Sequence, residues 1–458
     1  MENKKQQREV FSSKLGIIAA AAGSAIGLGN IWKFPYITGI YGGAAFIFVY
    51  LICIVLIGMP VMLSEFLIGR RAKKNAVASF EELAPRTPWF LTGGFGVLTG
   101  FIILSFYGVV AGWTLHYVYT AVINGFKGQS PEQLNNMFGS LVTNPWQPVM
   151  WQVIFMILTA VVILGGVKDG IEKYAKILMP LLLVIIIILD IRAITLPGAG
   201  EGLAFLFKPD FSKINGEAVM AALGHAFFTL SIGMAAMITY GSYIGKKENL
   251  GVTTLQVSLA DTFIALLSGL AIFPAVFAFG VKPNVGPGLV FVTLPNVFNM
   301  MPGGYIFSIL FFVLLAVAAL TSSISLLEVV VAYFDESLNM SRKKATITAA
   351  GIITILGAFE SLTYSVVKFN LPLFKGGEWH TLAFLDWMIE LSDLMLPIGG
   401  FFIALFVGYV MKNNDVKNEL NNDGKLELWW YGTFRVLIKV LAPIAILITF
   451  INMTFGIL

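Results

Sequence analysis

Charge is scarce in this chain. Asp, Glu, Lys and Arg together make up 12% of its 458 residues, about half of the roughly 25% usual in a water-soluble domain. That excludes a solvated globular surface over most of the chain. Cysteine is nearly absent too: Cys53 alone leaves no internal disulfide and no thiolate metal centre. The three histidines, His116, His225 and His380, are too scattered for metal-ligand spacing, and no nucleophile–base pair accompanies them, so nothing indicates an enzyme. The net charge of +4 reads as loop topology rather than as a nucleic-acid surface. What the chain does have is apolar: 57% hydrophobic residues and a mean hydropathy of +0.83.

Apolar runs of roughly twenty residues recur along the whole chain, the length a helix needs to cross a bilayer. They are continuous rather than alternating, which argues against a β-barrel. The expected fold is an all-α polytopic membrane protein, residues 1–458 forming a single transmembrane domain. Eleven spans are expected near 12–37, 42–70, 88–124, 148–166, 171–192, 216–241, 253–280, 305–338, 344–361, 382–411 and 429–455. The stretch 291–302, with Pro295 near its start and Pro302 at its end, reads as a re-entrant or surface hairpin outside the membrane. The longest loop is 193–215. The short basic N-terminus carries no small-residue cleavage site, so no signal peptide is expected. Lys and Arg crowd the N-terminus and every second loop, as in Arg70, Arg71, Lys73, Lys74, Arg342, Lys343 and Lys344. The positive-inside rule then places the N-terminus in the cytoplasm, and an odd number of spans places Leu458 outside.

The first span is broken by composition. GSAIGLGNIWKFPY (Gly23 to Tyr36) packs Gly23, Gly27 and Gly29 together and follows them with Asn30, Lys33 and Pro35. Glycines alone also suit close helix packing. Yet irregular backbone survives in hydrocarbon only where it lines a cavity or binds something. Span 6, GHAFFTLSIGMAAMITYGSY, has Thr229, Ser231 and Gly233 at its centre. Spans 1 and 6 each open a five-helix set. Interrupted helices in corresponding positions of two halves are the pattern of an inverted-repeat secondary transporter, here a 5+5 arrangement of 12–192 and 216–411 with 429–455 as an extra eleventh helix. Span 8 adds Thr321, Ser322 and Ser323, hydroxyls that with unwound carbonyls can cage a hard cation. Glu65 inside span 2 is a further candidate, because intramembrane carboxylates are rare and functional by default.

These motifs, together with GMPVMLSEFLIGR in span 2 and ALTSSIS in span 8, resemble those of the bacterial neurotransmitter:sodium symporters, in their eleven-span form. The resemblance implies a sodium-coupled amino-acid importer of the plasma (inner) membrane, working as a monomer or homodimer by alternating access. It implies two sodium sites. The first would use Ala25, Asn30, Thr229 and Asp261; the second Gly23, Ile26, Ala318, Thr321 and Ser322. The substrate carboxylate would meet Leu28, Gly29 and Tyr107, and its amino group carbonyls near Ala25, Phe228, Thr229 and Ser231. Ile103, Phe228, Met234 and Leu326 would wall the side-chain pocket, with Ser322 alongside. Gly27, where monoamine-transporting members carry aspartate, points to a substrate that brings its own carboxylate. Met234 is unbranched and repacks easily, which suggests a large apolar or aromatic amino acid.

The resemblance also implies gates: an outer pair Lys33–Asp386, and an inner pair Arg8–Glu336, with Asp335 as the alternative and Tyr243 nearby. Gly170 and Pro180, spaced G-x9-P in span 5, match a segment that unwinds in relatives. His225 replaces a frequent glutamine and reads either as a satisfied helix histidine or as a pH sensor. Asp261 stands where asparagine is common; its charge would balance bound sodium, so no chloride requirement is expected. A proton-coupled permease of related fold is the alternative, disfavoured by the Thr321 and Ser322 hydroxyls. An ion channel is a more distant one, since no repeated filter sequence is present.

Overall fold

The computed structural model describes residues 9–280 and 288–457. Its principal helices run in chain order as α1 (Lys14–Ala25), α2 (Gly29–Ile40), α3 (Ala44–Ala72), α4 (Phe90–Val122), α5 (Gln147–Leu164), α6 (Val167–Ile194), α7 (Gly216–Thr229), α8 (Ala236–Tyr243) and α9 (Leu250–Ala278). They continue as α10 (Leu289–Met300), α11 (Gly304–Glu336), α12 (Arg342–Ser361), α13 (Phe384–Val410) and α14 (Tyr431–Phe455). Eight are long and apolar enough to cross a membrane, and α1 with α2, bent by 50° at a short break, makes a ninth span. The other two expected spans are α7–α8, whose halves are each too short alone, and α12, which carries Arg342, Lys343, Lys344 and Glu360.

The two breaks follow from local residues. Helix α1 stops at Ala25, and Ile26 is extended. A Cβ on Gly27 would lie 2.3 Å from Ser322 Oγ and 2.5 Å from the Tyr107 hydroxyl, so any side chain there would have to displace both. Between α7 and α8, Ser231, Gly233 and Ala235 all have positive φ. Gly233 adopts φ +84°, and a Cβ on it would meet the Leu396 carbonyl at 2.3 Å; only glycine serves both demands. Around the breaks, α1 packs against α6, α9 and α11, α8 against α3, and α11 along α4. The site therefore sits in the centre of the bundle.

Two expectations about the connections are corrected, and a third connection holds a hairpin. The 291–302 stretch is no hairpin; it belongs to α10, buried from Leu289 to Phe298. Pro295 sits where the π turn Leu289–Thr293 passes into α-helix, so its missing N–H falls at the change of hydrogen-bond register. The 193–215 loop holds a helix, Ala199–Phe207, laid on α9. An antiparallel hairpin, β1 (Asn370–Lys375) with β2 (Glu378–Ala383), precedes α13. Its turn is Gly376-Gly377, both at positive φ, the pairing that suits a two-residue hairpin.

Candidate functional site

The end of α1 exposes carbonyls that no helical N–H can reach. Two span-8 hydroxyls face them. Ser322 Oγ lies 3.4, 3.0 and 3.2 Å from the carbonyls of Gly23, Ser24 and Ile26. Thr321 Oγ lies 3.4 Å from Ile26 O and 3.0 Å from Ala318 O. Each hydroxyl has one proton, so oxygens outnumber donors. That surplus, at the negative end of a helix, suits a hard monovalent cation. The five residues expected for the second cation site therefore meet at one point.

The second cluster centres on Asp261, which is fully buried on α9. Its Oδ1 accepts from Asn30 Nδ2 at 2.7 Å and from the Thr229 hydroxyl at 2.9 Å. The Tyr50 hydroxyl donates to Oδ2 at 3.4 Å. Asn30 Oδ1 accepts the Gly27 N–H at 2.9 Å and keeps a second lone pair. A buried charge is tolerated only when paired or coordinated; three donors supply part of that. Asn30, Thr229 and Asp261 are thus assembled, with Ala25 lining the adjoining cavity.

That cavity lies between the two breaks. It is lined by Ala25, Gly29, Ile103, Tyr107, Phe228, Thr229, Ser231, Met234, Ser322 and Leu326, together with Ser24 and Gly27. Leu28 is absent from the wall, but its N–H donates to the Tyr107 hydroxyl at 2.8 Å. Ser231 holds its left-handed backbone by donating to the Ser24 carbonyl at 2.9 Å. Its lining combines backbone and hydroxyl groups with the apolar side chains of Ile103, Phe228, Met234 and Leu326. Glu65 lies behind the second break, where its Oε1 accepts the Gly233 N–H at 2.7 Å. It anchors the unwound segment.

The gate residues are redistributed. Lys33 pairs with Asp393 at 2.8 Å, not with Asp386, and its ammonium lies 4.7 Å from the Phe228 ring centre. Asp386 stands in the first turn of α13, about two turns earlier, and accepts from the Tyr364 hydroxyl at 2.8 Å. Arg8 lies outside the described residues. Glu336 accepts the backbone N–H of Asn75 at 2.7 Å and its side-chain amide at 3.1 Å. Tyr243 donates to Glu328 at 2.6 Å, and Arg342 grips the same carboxylate at 2.7 and 3.1 Å.

Gly170 sits in the π turn that opens α6, where a Cβ would lie 2.1 Å from Val162 O. Pro180 lies inside α6, which stays helical from Val167 to Ile194. The unwinding expected there is not seen in this structure. His225 is buried against Phe34 and Tyr50, and neither ring nitrogen has a partner, so it is not a satisfied helix histidine.

Sequence reasoning missed four groups here. Asp393 shares a helix face with Asp386, seven residues on, so spacing alone could not choose between them. Tyr50 is hidden in an apolar run. Glu328, like Glu65, is a carboxylate within a span, and that signal could have found it. So is Glu172, which accepts from Ser12 N–H and Ser12 Oγ, both at 2.7 Å, and from Ser13 Oγ at 2.9 Å, fastening the N-terminal segment to α6.

The sequence profile described as the Sodium:neurotransmitter symporter family matches residues 8–130 and 140–457. An uncharacterized sodium-dependent transporter of Bacillus subtilis (strain 168) is 40% identical, the match covering 97% of each chain. A second, of Haemophilus influenzae, is 34% identical over 99% of this chain and 100% of its own. Among solved structures, the crystal structure of MhsT in complex with L-phenylalanine superposes with a TM-score of 0.88 at 47% identity. That match covers 97% of this chain and 99% of the other.

Proposed function

Because the chain belongs to the sodium:neurotransmitter symporter family and is therefore a multi-pass, sodium-dependent transporter, we propose that it imports a large apolar or aromatic amino acid with sodium by alternating access. The observation that carries this reading is the cavity between the helix breaks, whose lining carries both polar groups and apolar side chains. A zwitterion needs a counter-field at each end in a site of low dielectric. Leu28 and Gly29 N–H groups with the Tyr107 hydroxyl suit the carboxylate; carbonyls near Ala25, Phe228, Thr229 and Ser231 suit the ammonium. Ile103, Phe228, Met234 and Leu326 leave an apolar volume for the side chain. A phenylalanine complex of a 47%-identical protein supports the same substrate class.

Two sodium ions would travel with it. One would be held by Gly23, Ile26, Ala318, Thr321 and Ser322. The other would be held by Ala25, Asn30, Thr229 and Asp261, and completed by the substrate carboxylate. Asp261 keeps a negative charge where cations gather, so chloride is not required. Animal relatives at 25–26% identity are named as sodium- and chloride-dependent transporters, which makes this a real distinction to test. Repeats 12–192 and 216–411 would rock about the fixed site, Lys33–Asp393 closing the outer side and the N-terminal segment the inner, cytoplasmic side of the plasma membrane.

Uptake of labelled phenylalanine into proteoliposomes is the test. Accumulation should require an inward sodium gradient, fail with potassium, and be competed by tyrosine, tryptophan or leucine. Competition by glycine or glutamate but not by these would defeat the substrate assignment. Uptake driven by a proton gradient without sodium would favour the proton-coupled alternative.

A further inference from the structure

Glu360 is an intramembrane carboxyl group that the transport site does not use. It is fully buried in the last turn of α12 and faces Ser105, midway along α4. Its Oε1 lies 2.7 Å from Ser105 Oγ, and its Oε2 is buried without a partner. Among the described residues no cation forms an ion pair with it. The elements around it explain why. Helix α12 packs against α4, α5, α11 and α13, and none of these four carries a lysine or an arginine. On α12 itself, Arg342, Lys343 and Lys344 stand at the opposite end, about 24 Å away or more at 1.5 Å per residue. His116 of α4 lies about 16 Å beyond Ser105 by the same rise. The charged groups of α11 and α13 are acidic: Glu328, Asp335, Glu336, Asp386, Glu390 and Asp393.

An ionised carboxylate is not stable there, because burying an unpaired charge costs far more than one hydroxyl returns. A water at Oε2 would satisfy that oxygen but leave the charge. The hydrogen bonds show where a proton fits. Ser105 Oγ lies 2.7 Å from the Ile102 carbonyl as well as 2.7 Å from Glu360 Oε1. A hydroxyl has one proton and two lone pairs, so it cannot donate fully to both oxygens. A proton on Glu360 completes the chain: the acid O–H donates to Ser105 Oγ, and Ser105 O–H donates to Ile102 O. The helices are closely joined at this point. A Cβ on Gly357 of α12 would lie 2.7 Å from the Ser105 carbonyl. Gln152 of α5 donates to the Thr354 carbonyl at 3.1 Å and accepts from the Ser361 hydroxyl at 3.0 Å. Ile103 and Tyr107, on either side of Ser105 in the chain, both line the binding cavity.

We infer that Glu360 is a neutral carboxylic acid whose proton fastens α4 to α12, making it a positioning residue for the Ile103–Tyr107 wall of the binding cavity. The proton site itself is separate from substrate and sodium. Its positioning role rests on the proposed function, since the wall's placement is read through amino-acid binding.

Infrared spectra of the full-length protein in lipid at neutral pH test the proton. A protonated carboxyl group shows a carbonyl stretch that ionised carboxylates lack. The wild-type spectrum minus that of Glu360→Gln should contain one such band, and Ser105→Ala should shift it without removing it. Labelled phenylalanine binding in saturating sodium, measured well below each variant's melting temperature, tests the positioning. Glu360→Ala should weaken binding about fivefold, the worth of one ordering hydrogen bond. Ser105→Ala should do the same, and it carries the test where Glu360→Ala fails to fold. Glu360→Gln, whose amide can donate to Ser105 as the acid does, should stay within about twofold of the wild type. The inference is overturned if the difference spectrum lacks the acid band. It is overturned equally if Glu360→Gln binds as weakly as the alanine variants, or if the alanine variants lower only the melting temperature. A wild type that does not bind phenylalanine would count against the substrate assignment instead, and the infrared spectra would still decide the proton.

Discussion

Asp393→Asn should open the outer side of the binding cavity. Lys33 and Asp393 meet at 2.8 Å, with side chains 19% and 23% exposed. At an effective dielectric of about 20, unit charges about 3 Å apart attract by roughly 5–6 kcal/mol. Desolvation of both groups offsets most of that. The remainder lies between the 0–1 kcal/mol typical of an exposed pair and the 3–5 kcal/mol lost when a fully buried pair is broken. For a pair about one-fifth exposed, a net of about 2 kcal/mol is reasonable. Asparagine keeps one acceptor for the Lys33 ammonium and the Phe228 ring still faces it, so 1.5–2 kcal/mol should be lost, roughly a 10- to 30-fold shift toward the open state. The assay is release of labelled phenylalanine from purified protein in saturating sodium. Asp386→Asn is the matched control: it weakens one hydrogen bond to Tyr364, worth about 1 kcal/mol of stability, and should change release less than about threefold. If Asp386→Asn accelerates release as much as Asp393→Asn, or if the latter changes it less than threefold, the pairing is not the gate.

Thr321→Ala removes one of two hydroxyls from the carbonyl cluster at the end of α1; apparent sodium affinity, read by a sodium titration of uptake, should fall about tenfold or more and transport should be largely lost. Replacing chloride by gluconate should leave wild-type uptake unchanged, whereas Asp261→Asn should lower sodium affinity, read by a sodium titration of uptake. Chloride-dependent wild-type uptake would refute the charge-balance argument. Glu65→Ala leaves the Gly233 N–H buried without its acceptor, a penalty of about 1–3 kcal/mol; a lowered melting temperature and lost substrate binding are expected, with partial rescue by Glu65→Gln.

The helices and their breaks were legible in the chain because each rests on local chemistry. Apolar length decides a span. Glycine clusters with polar neighbours decide where a span fails, and both breaks appear at Ile26–Leu28 and Leu230–Ala235, where composition placed them. The Thr321 and Ser322 hydroxyls could be assigned to the α1 carbonyls for the same reason, since few groups in an apolar helix can hold a cation. Connections were less legible. Pro295 reads as a breaker in sequence yet lies inside α10, at its change from π to α turns, because a proline's effect depends on whether its N–H was needed.

What the sequence by itself determined is a bundle of apolar spans with two interrupted helices and a central oxygen-rich site. Hydrophobic length and backbone satisfaction in a bilayer leave few other solutions. Tertiary structure alone decided the partners. Asp386 and Asp393 lie on one face of α13, and only the height of Lys33 beside that helix selects Asp393. Tyr50 reaches Asp261, and Glu172 reaches Ser12, across 211 and 160 residues of chain. A side chain about 3 Å from its partner is placed by the packing of two helices, and no local pattern encodes that distance.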